Sequence, residues 1–458
     1  MEVFLIKALQ LILCFALLVL CHEGGHFFVC QALSKVRVEK FCLFFDPWFH
    51  LFKWRPKRSE TTYYVGWLPL GGYVKIAGMI DESMDTEQMK QPVKPWEFRA
   101  KPAWQRLLIM IGGVAVNFVL AFFIYSMVLF TWGETYVPVD HMTHGFKFSE
   151  SAKQLGFRDG DIPLRTDSRT FKSFDSNETV GDMYRGLSEA RWVVVRRDGR
   201  EVTLPMPGNL NMLDMMRSEP RFILPRLPFV VDSVQPGSPA MAAGFRRGDR
   251  VVALNGAPVT DWNDYTLQIS RLNRRVASVN EAEAERLRGI TVAVARPGGV
   301  VDTLRVQLGA DMLMGVVNRA PQYAPVTLHY TFWESIPAGI SHGWNVLTGY
   351  VSDLKYLFSK DGAKSVGSFG AIGSMFPSTW NWQQFWLLTA FISFMLGFIN
   401  ILPIPALDGG HAFFLLCEVI TRRKPSDKFM ERTQLVGMCL LLGLMALAIF
   451  NDLDRFVF

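Results

Sequence analysis

The chain has 458 residues, of which half are hydrophobic and 13% aromatic, and its mean hydropathy is positive at +0.16. Soluble proteins of this length are rarely so apolar, so the natural class is a membrane protein with a soluble insert. The net charge of +6 is spread out, with no basic run interleaved with aromatics, which leaves nucleic-acid binding without support.

In chain order, the first apolar run covers about residues 3–28 and is long enough to cross a bilayer. Leu20 stands where a signal peptidase wants a small residue, so the run is expected to be retained as a transmembrane helix. At its far end stands His22-Glu23-Gly24-Gly25-His26. This spacing on a helix puts two imidazoles on one face, one turn apart, with a carboxylate beside them. Neutral imidazoles ligate zinc, and the adjacent Glu23 is the candidate general base. Ionisable groups at membrane depth are costly and usually functional. Gly24 and Gly25 each cost about 1 kcal/mol in a helix interior but let another chain approach closely.

The loop that follows is rich in Lys and Arg, and Tyr63 to Ile76 reads as strand, turn and strand within a β-loop at about 61–78. A second span covers about 104–132, with Trp104 and Trp132 as interfacial anchors. A third covers about 385–404 and a fourth about 435–450. Arg422, Arg423, Lys424 and Lys428 separate the last two. The positive-inside rule puts both basic loops in the cytoplasm, so both termini and the long insert face outward. The six cysteines lie in or near the apolar segments, with no zinc-knuckle or redox spacing.

The insert reads as two repeats, at 133–225 and 226–322. Ser151-Ala152 to Gly160-Asp161 and Ser238-Pro239 to Gly248-Asp249 share a short helix, a glycine C-cap and a Gly-Asp turn into a strand. The pattern resembles PDZ domains, which bind extended chains by strand addition; a size filter without a peptide ligand is the other reading. The second copy continues into a strand, whereas Ile162-Pro163-Leu164-Arg165 breaks the expected strand of the first. Within 323–380, Phe332, Ile336, Ile340, Trp344, Leu347 and Val351 make one helical face over Trp333–Phe358. It is expected along the outer membrane surface, against the insert, or as a packing helix.

The third span ends in Asn400-Ile401-Leu402-Pro403-Ile404-Pro405-Ala406-Leu407-Asp408-Gly409-Gly410-His411. Two prolines one residue apart cannot continue a helix, and unwound backbone at membrane depth must line protein or a wet cavity. Zinc needs a third protein ligand, and Asp408 is the candidate, with His50 and His411 as spares. His22 lies about 29 Å along its helix, at 1.5 Å per residue, and Asp408 at the same inner end of its own span. The two motifs therefore share one depth.

These paired motifs resemble the site-2 protease family of intramembrane metalloproteases, and the two PDZ-like repeats resemble its bacterial regulator of sigma-E protease group. The resemblance covers nearly the whole chain. It implies a polytopic α-helical membrane protein: four transmembrane helices, an inserted pair of α+β PDZ domains and a membrane-associated β-loop. It implies one Zn2+ held by His22, His26 and Asp408, with Glu23 as base. Asn400 would contact the substrate backbone or the oxyanion, or bridge the broken helix. Gly71, Gly72, Tyr73 and Val74 of the β-loop, with Pro403 and Pro405, would hold the substrate. Substrates would be single-pass membrane proteins in the bacterial inner membrane, such as anti-sigma factors trimmed by another protease, and leftover signal peptides. The alternative is a non-catalytic PDZ scaffold with a structural metal. The family often has Gly-Pro before Asn117, where this chain has Gly112-Gly113-Val114-Ala115-Val116, and Gly-Pro-Ile where it has Ser365-Val366-Gly367. Neither segment is expected to touch the ligands.

Overall fold

Among the described residues, four helices are long and apolar enough to cross a membrane. The first, α1 (Glu2–Phe28), is leucine-rich and free of proline, and it runs on as a π-helical turn over Val29–Ser34. Lys35, in the left-handed conformation at φ 50°, stops it. The computed structural model describes residues 2–69, 71–79, 91–174, 177–357 and 367–456. Leu70, Phe358, Ser365 and Val366 fall outside the described residues.

The β-loop is larger than the sequence suggested. Strands β1 (Val38–Leu43), β2 (Phe45–Trp54), β3 (Thr62–Leu68) and β4 (Tyr73–Ile76) form one sheet in the order β2-β3-β1-β4. The expected strand-turn-strand is therefore not a hairpin. β1 lies between β3, its parallel partner, and β4, its antiparallel partner. An isolated two-stranded hairpin is marginal in water. Here Val38, Phe41, Val74 and Ile76 instead bury a face against Cys30, Ile109 and Met110. β4 is left as an edge strand.

Helix α2 (Ala103–Trp132) ends at Gly133, which takes φ 71° as its C-cap. The insert, Thr135–Thr327, is a compact unit of its own. Its first lobe contains β5 (Phe146–Phe148), α3 (Glu150–Gln154), β6 (Ile162–Thr166), α4 (Asn177–Glu189), β7 (Trp192–Arg197), β8 (Arg200–Pro205), α5 (Met212–Arg217) and β9 (Ile223–Pro225). The second contains β10 (Val231–Val234), α6 (Pro239–Ala243), β11 (Arg250–Leu254), β12 (Ala257–Pro258), α7 (Trp262–Val276), α8 (Glu281–Arg288), β13 (Gly289–Ala295), β14 (Val301–Gln307) and β15 (Val316–Asn318).

The repeat is real at backbone level. Gly156 and Gly244 are left-handed, as are Gly160 and Gly248. Asp161 accepts the Arg158 N–H at 2.8 Å, and Asp249 accepts the Arg246 N–H at 2.9 Å. The first helix is capped by Ser149, whose hydroxyl accepts the Ala152 N–H. One detail differs from the sequence reading. Ile162–Thr166 is a strand despite Pro163. It lies at the edge of a three-stranded sheet with a register shift beside the proline, where a missing N–H is tolerated.

After the insert, α9 (Phe332–Leu357) packs along α2. Gly339 abuts Ser126, and Gly343 abuts Phe122 and Phe394. Small residues one turn apart let helices approach closely, so α9 packs on the helix that carries Ser126 and Phe122. Then follow α10 (Phe369–Met375), α11 (Trp382–Ile401), α12 (Asp408–Thr421) and α13 (Asp427–Phe456). The third span stops at Ile401, short of residue 404. Leu402, which precedes Pro403, is extended at ψ 142°, as residues before proline prefer. The chain turns through Ala406 at φ 76° and resumes as α12, a helix the sequence reading took for loop.

Candidate metal centre

α1, α2 and the turn before α12 meet at one point. His22 Nε2 and His26 Nε2 are 3.3 Å apart, and Asp408 Oδ2 lies 3.1 Å and 3.2 Å from them. A tetrahedral ion with bonds of about 2.0–2.1 Å separates its ligands by about 3.3 Å. The three atoms thus already stand at the spacing of one triangular face. The nitrogen and carboxylate donor set suits zinc. Asp408 is the first residue of α12, where the helix dipole favours a carboxylate.

Each imidazole is held from behind. His26 Nδ1 donates to the Ile109 carbonyl at 2.8 Å, which leaves Nε2 free for a metal. His22 Nδ1 faces the Asn117 side chain at 3.1 Å. Gly113 passes so close that a Cβ there would lie 2.4 Å from His26 Nε2 and 2.9 Å from His22 Cε1. The segment Gly112–Asn117, expected to stay clear of the ligands, therefore supports both histidines. The signal was present in the sequence: a Gly-Gly pair, then an asparagine one turn on.

Beside the triangle lies a cavity of about 360 Å³, lined by Glu23, Gly71, Gly72, Val74 and Asn400 together with the three ligating side chains. Glu23 accepts the backbone N–H of Val74, so edge strand β4 turns its free side to the site. Asn400 Nδ2 is 3.5 Å from His22 Nε2, at the limit of contact. Tyr73 is not among the lining residues; its hydroxyl donates to Asp46 at 3.0 Å. Pro403 and Pro405 also lie outside the lining, and Pro405 packs on Gly410 and Gly437. Of the spare ligands, His411 lines the cavity, and His50 is exposed on β2, packed edge-on to Tyr64.

A triangle of groups able to hold a metal, with an adjacent carboxylate and beside helices apolar enough to span a membrane, is the arrangement of an intramembrane metallohydrolase. The sequence profile of Peptidase family M50 matches residues 10–444, and the chain belongs to that family, the site-2 proteases. It is 26% identical to the Metalloprotease MmpA of Caulobacter vibrioides, over 99% of this chain and 96% of that one. It is 27% identical to the Regulator of sigma-E protease RseP of Escherichia coli, over 99% of both chains. A putative zinc metalloprotease of Vibrio cholerae is 27% identical over 97% of each. The protein is a zinc metalloprotease of the site-2 type with several membrane-spanning helices.

Proposed function

We propose that the protein cuts within the membrane segments of single-pass membrane proteins, using His22, His26 and Asp408 as zinc ligands and Glu23 as general base. The observation that carries this reading is the ligand triangle opening on a cavity lined by Gly71, Gly72 and Val74, beside edge strand β4. Zinc, when bound, supplies Lewis-acid polarisation of the scissile carbonyl and a nucleophile at neutral pH.

The chain's own groups do the rest. Glu23 takes up a proton and returns it to the leaving amine. Asn400 offers its amide to the developing oxyanion or to the substrate backbone. A helical segment hides its amides, so the substrate must be held extended; addition to β4 beside Gly71, Gly72 and Val74 achieves that. Tyr73 acts through the sheet, and Pro403 and Pro405 bend the chain so that Asp408 faces the histidines.

The substrate class is anti-sigma factors already shortened by another protease, with leftover signal peptides as a second source. The setting is the bacterial inner membrane, with the insert outside and the metal near the cytoplasmic face. The insert's lobes are read as PDZ domains, supported by their shared capped helix and left-handed glycines. They select substrates by exposed peptide ends or by size.

The test is cleavage of a single-pass reporter in detergent or proteoliposomes, with the cut mapped by mass spectrometry. Cleavage should stop with chelator, return with zinc, and be lost in Glu23→Gln while zinc stays bound. A cut outside the membrane segment, or full turnover by Glu23→Gln, would overturn the reading.

A further inference from the structure

Asn117 sits on α2, fully buried, and its backbone carbonyl accepts the Ser393 hydroxyl at 2.8 Å. Among the described residues its side chain reaches one protein group, His22 Nδ1, with Nδ2 at 3.1 Å, while its buried Oδ1 meets no hydrogen-bond partner there. An orphaned amide oxygen in an apolar interior is costly, commonly about 1–3 kcal/mol, and calls for a reason.

His22 supplies the reason. Its Nε2 points at Asp408 and His26, so a metal there takes the Nε2 lone pair. A neutral imidazole that ligates through Nε2 must carry its proton on Nδ1. That proton would then face the Asn117 NH2 group, donor against donor. Rotating the amide by half a turn exchanges oxygen for nitrogen in nearly the same place, an exchange that costs no packing. Oδ1 then accepts the Nδ1–H at the distance now held by Nδ2, and the NH2 group takes the place Oδ1 held; what the exchange relieves is the donor–donor clash.

We propose that Asn117 is a positioning residue for the metal centre, holding His22 in its Nδ1–H tautomer through Oδ1. The inference rests on the zinc reading of His22, His26 and Asp408. Asn117 does for His22 what the Ile109 carbonyl does for His26, so each imidazole has an acceptor at its back. The two acceptors differ in kind. A backbone carbonyl cannot be mutated away, whereas the amide can be, which makes the His22 side the adjustable one.

The test measures metal and not turnover. Zinc affinity is read by competition with a chromophoric chelator on the full-length protein in detergent, carrying Glu23→Gln, and cobalt substitution reports ligand geometry through its visible bands. Asn117→Leu, similar in size but with no acceptor, should weaken zinc about 10–100-fold. Asn117→Asp restores an acceptor and should hold affinity within about threefold of the parent while shifting the cobalt bands. If Asn117→Leu does not accumulate, Asn117→Ala adds no atom and carries the same expectation. Affinity within about twofold of the parent in the apolar variants, or an equal loss in Asn117→Asp, would overturn the proposal. A merely structural Asn117 would lower thermal stability in all variants and leave zinc affinity alone. Parent protein that binds no zinc, or binds it equally after His22→Ala, removes the metal reading itself and is thereby distinguished.

Discussion

Gly25 of α1 lies against Gly112 of α2, so close that a Cβ on Gly25 would stand 2.4 Å from the Gly112 carbonyl oxygen. The contact is backbone on backbone, and no side chain can yield. A Cβ on Gly24, its neighbour, would meet nothing within 4 Å among the described residues beyond its own helix. Gly25→Ala should therefore cost about 1–3 kcal/mol or more and separate the two helices that carry the histidines and their support. Gly24→Ala should fold as well as the parent, gaining up to about 1 kcal/mol of helix propensity. Thermal unfolding in detergent separates the two; equal behaviour would mean that α1 and α2 do not cross as described.

Removing the third ligand should empty the centre. Asp408→Ala leaves two imidazoles, and zinc affinity should fall more than about 100-fold, beyond what supporting groups command. His50→Ala should bind normally, because that side chain is exposed on β2. Elemental analysis after dialysis against a weak chelator reads both.

Arg106 on α2 and Glu418 on α12 form an ion pair at 2.5 Å, with side chains 10% and 14% exposed. α12 begins at Asp408, so this pair ties the ligand's helix to the helix that supports the histidines. Glu418→Ala strands a buried guanidinium and should destabilise by about 3 kcal/mol. Arg106→Met with Glu418→Leu should recover most of that, because an apolar pair needs no desolvation. Failure of the double variant to recover would show that the guanidinium's other bond, to the Lys101 carbonyl at 3.0 Å, matters more.

In the insert, the Lys147 ammonium lies 3.0 Å from Asp159, 3.1 Å from Asp261 and 2.9 Å from Asp264, joining β5 of the first lobe to the start of α7 in the second. Burial alone would raise Asp159, but the Phe148 N–H and Lys147 outweigh it and hold the carboxyl below 3.8. Burial would likewise raise Asp264, and the Thr260 hydroxyl and Lys147 hold it below 3.8. A lowered folded-state value stabilises above the unfolded one and is lost as pH falls through the folded value. The joint should thus hold at neutral pH and weaken progressively below 3.8. Protection factors of the amides around Lys147 and Asp261, taken relative to intrinsic exchange at each pH, should fall on acidification, and Lys147→Met should abolish most of that dependence.

Val74→Pro removes the N–H that β4 presents to the site. Proline is tolerated on an edge strand when its N–H side is unpaired by the sheet. Zinc content should stay normal while reporter cleavage falls at least about tenfold, the loss of roughly one well-formed hydrogen bond in transition-state terms. Normal cleavage by folded protein would count against strand addition.

The sequence carried much of this without help. Apolar length announced four helices able to span, the spacing of His22 and His26 announced two imidazoles on one helix face, and Pro403 with Pro405 announced the break before Asp408. Each is a local property: a run of transfer free energies, a helical spacing, a missing N–H. β1 and β2 escaped notice because Val38–Leu43 carries Glu39 and Lys40, while the aromatics of β2 are exposed and make no alternating pattern. α12 escaped because Gly409 and Gly410 read as a loop; they are glycines because a Cβ would strike the carbonyls of Leu402 and Ile404.

By itself, then, the amino-acid order determined which residues were chemically able to hold an ion and which stretches were apolar enough to span, since motif spacing and hydropathy are written along the chain. Only the tertiary structure decided what stands behind those residues. Gly113 and Asn117 serve the histidines because α2 crosses α1 at Gly25, and β4 lines the site because β1 separates it from β3. Such neighbours are fixed by close packing between distant segments, where a contact depends on the shapes of both surfaces and neither stretch of sequence encodes it alone.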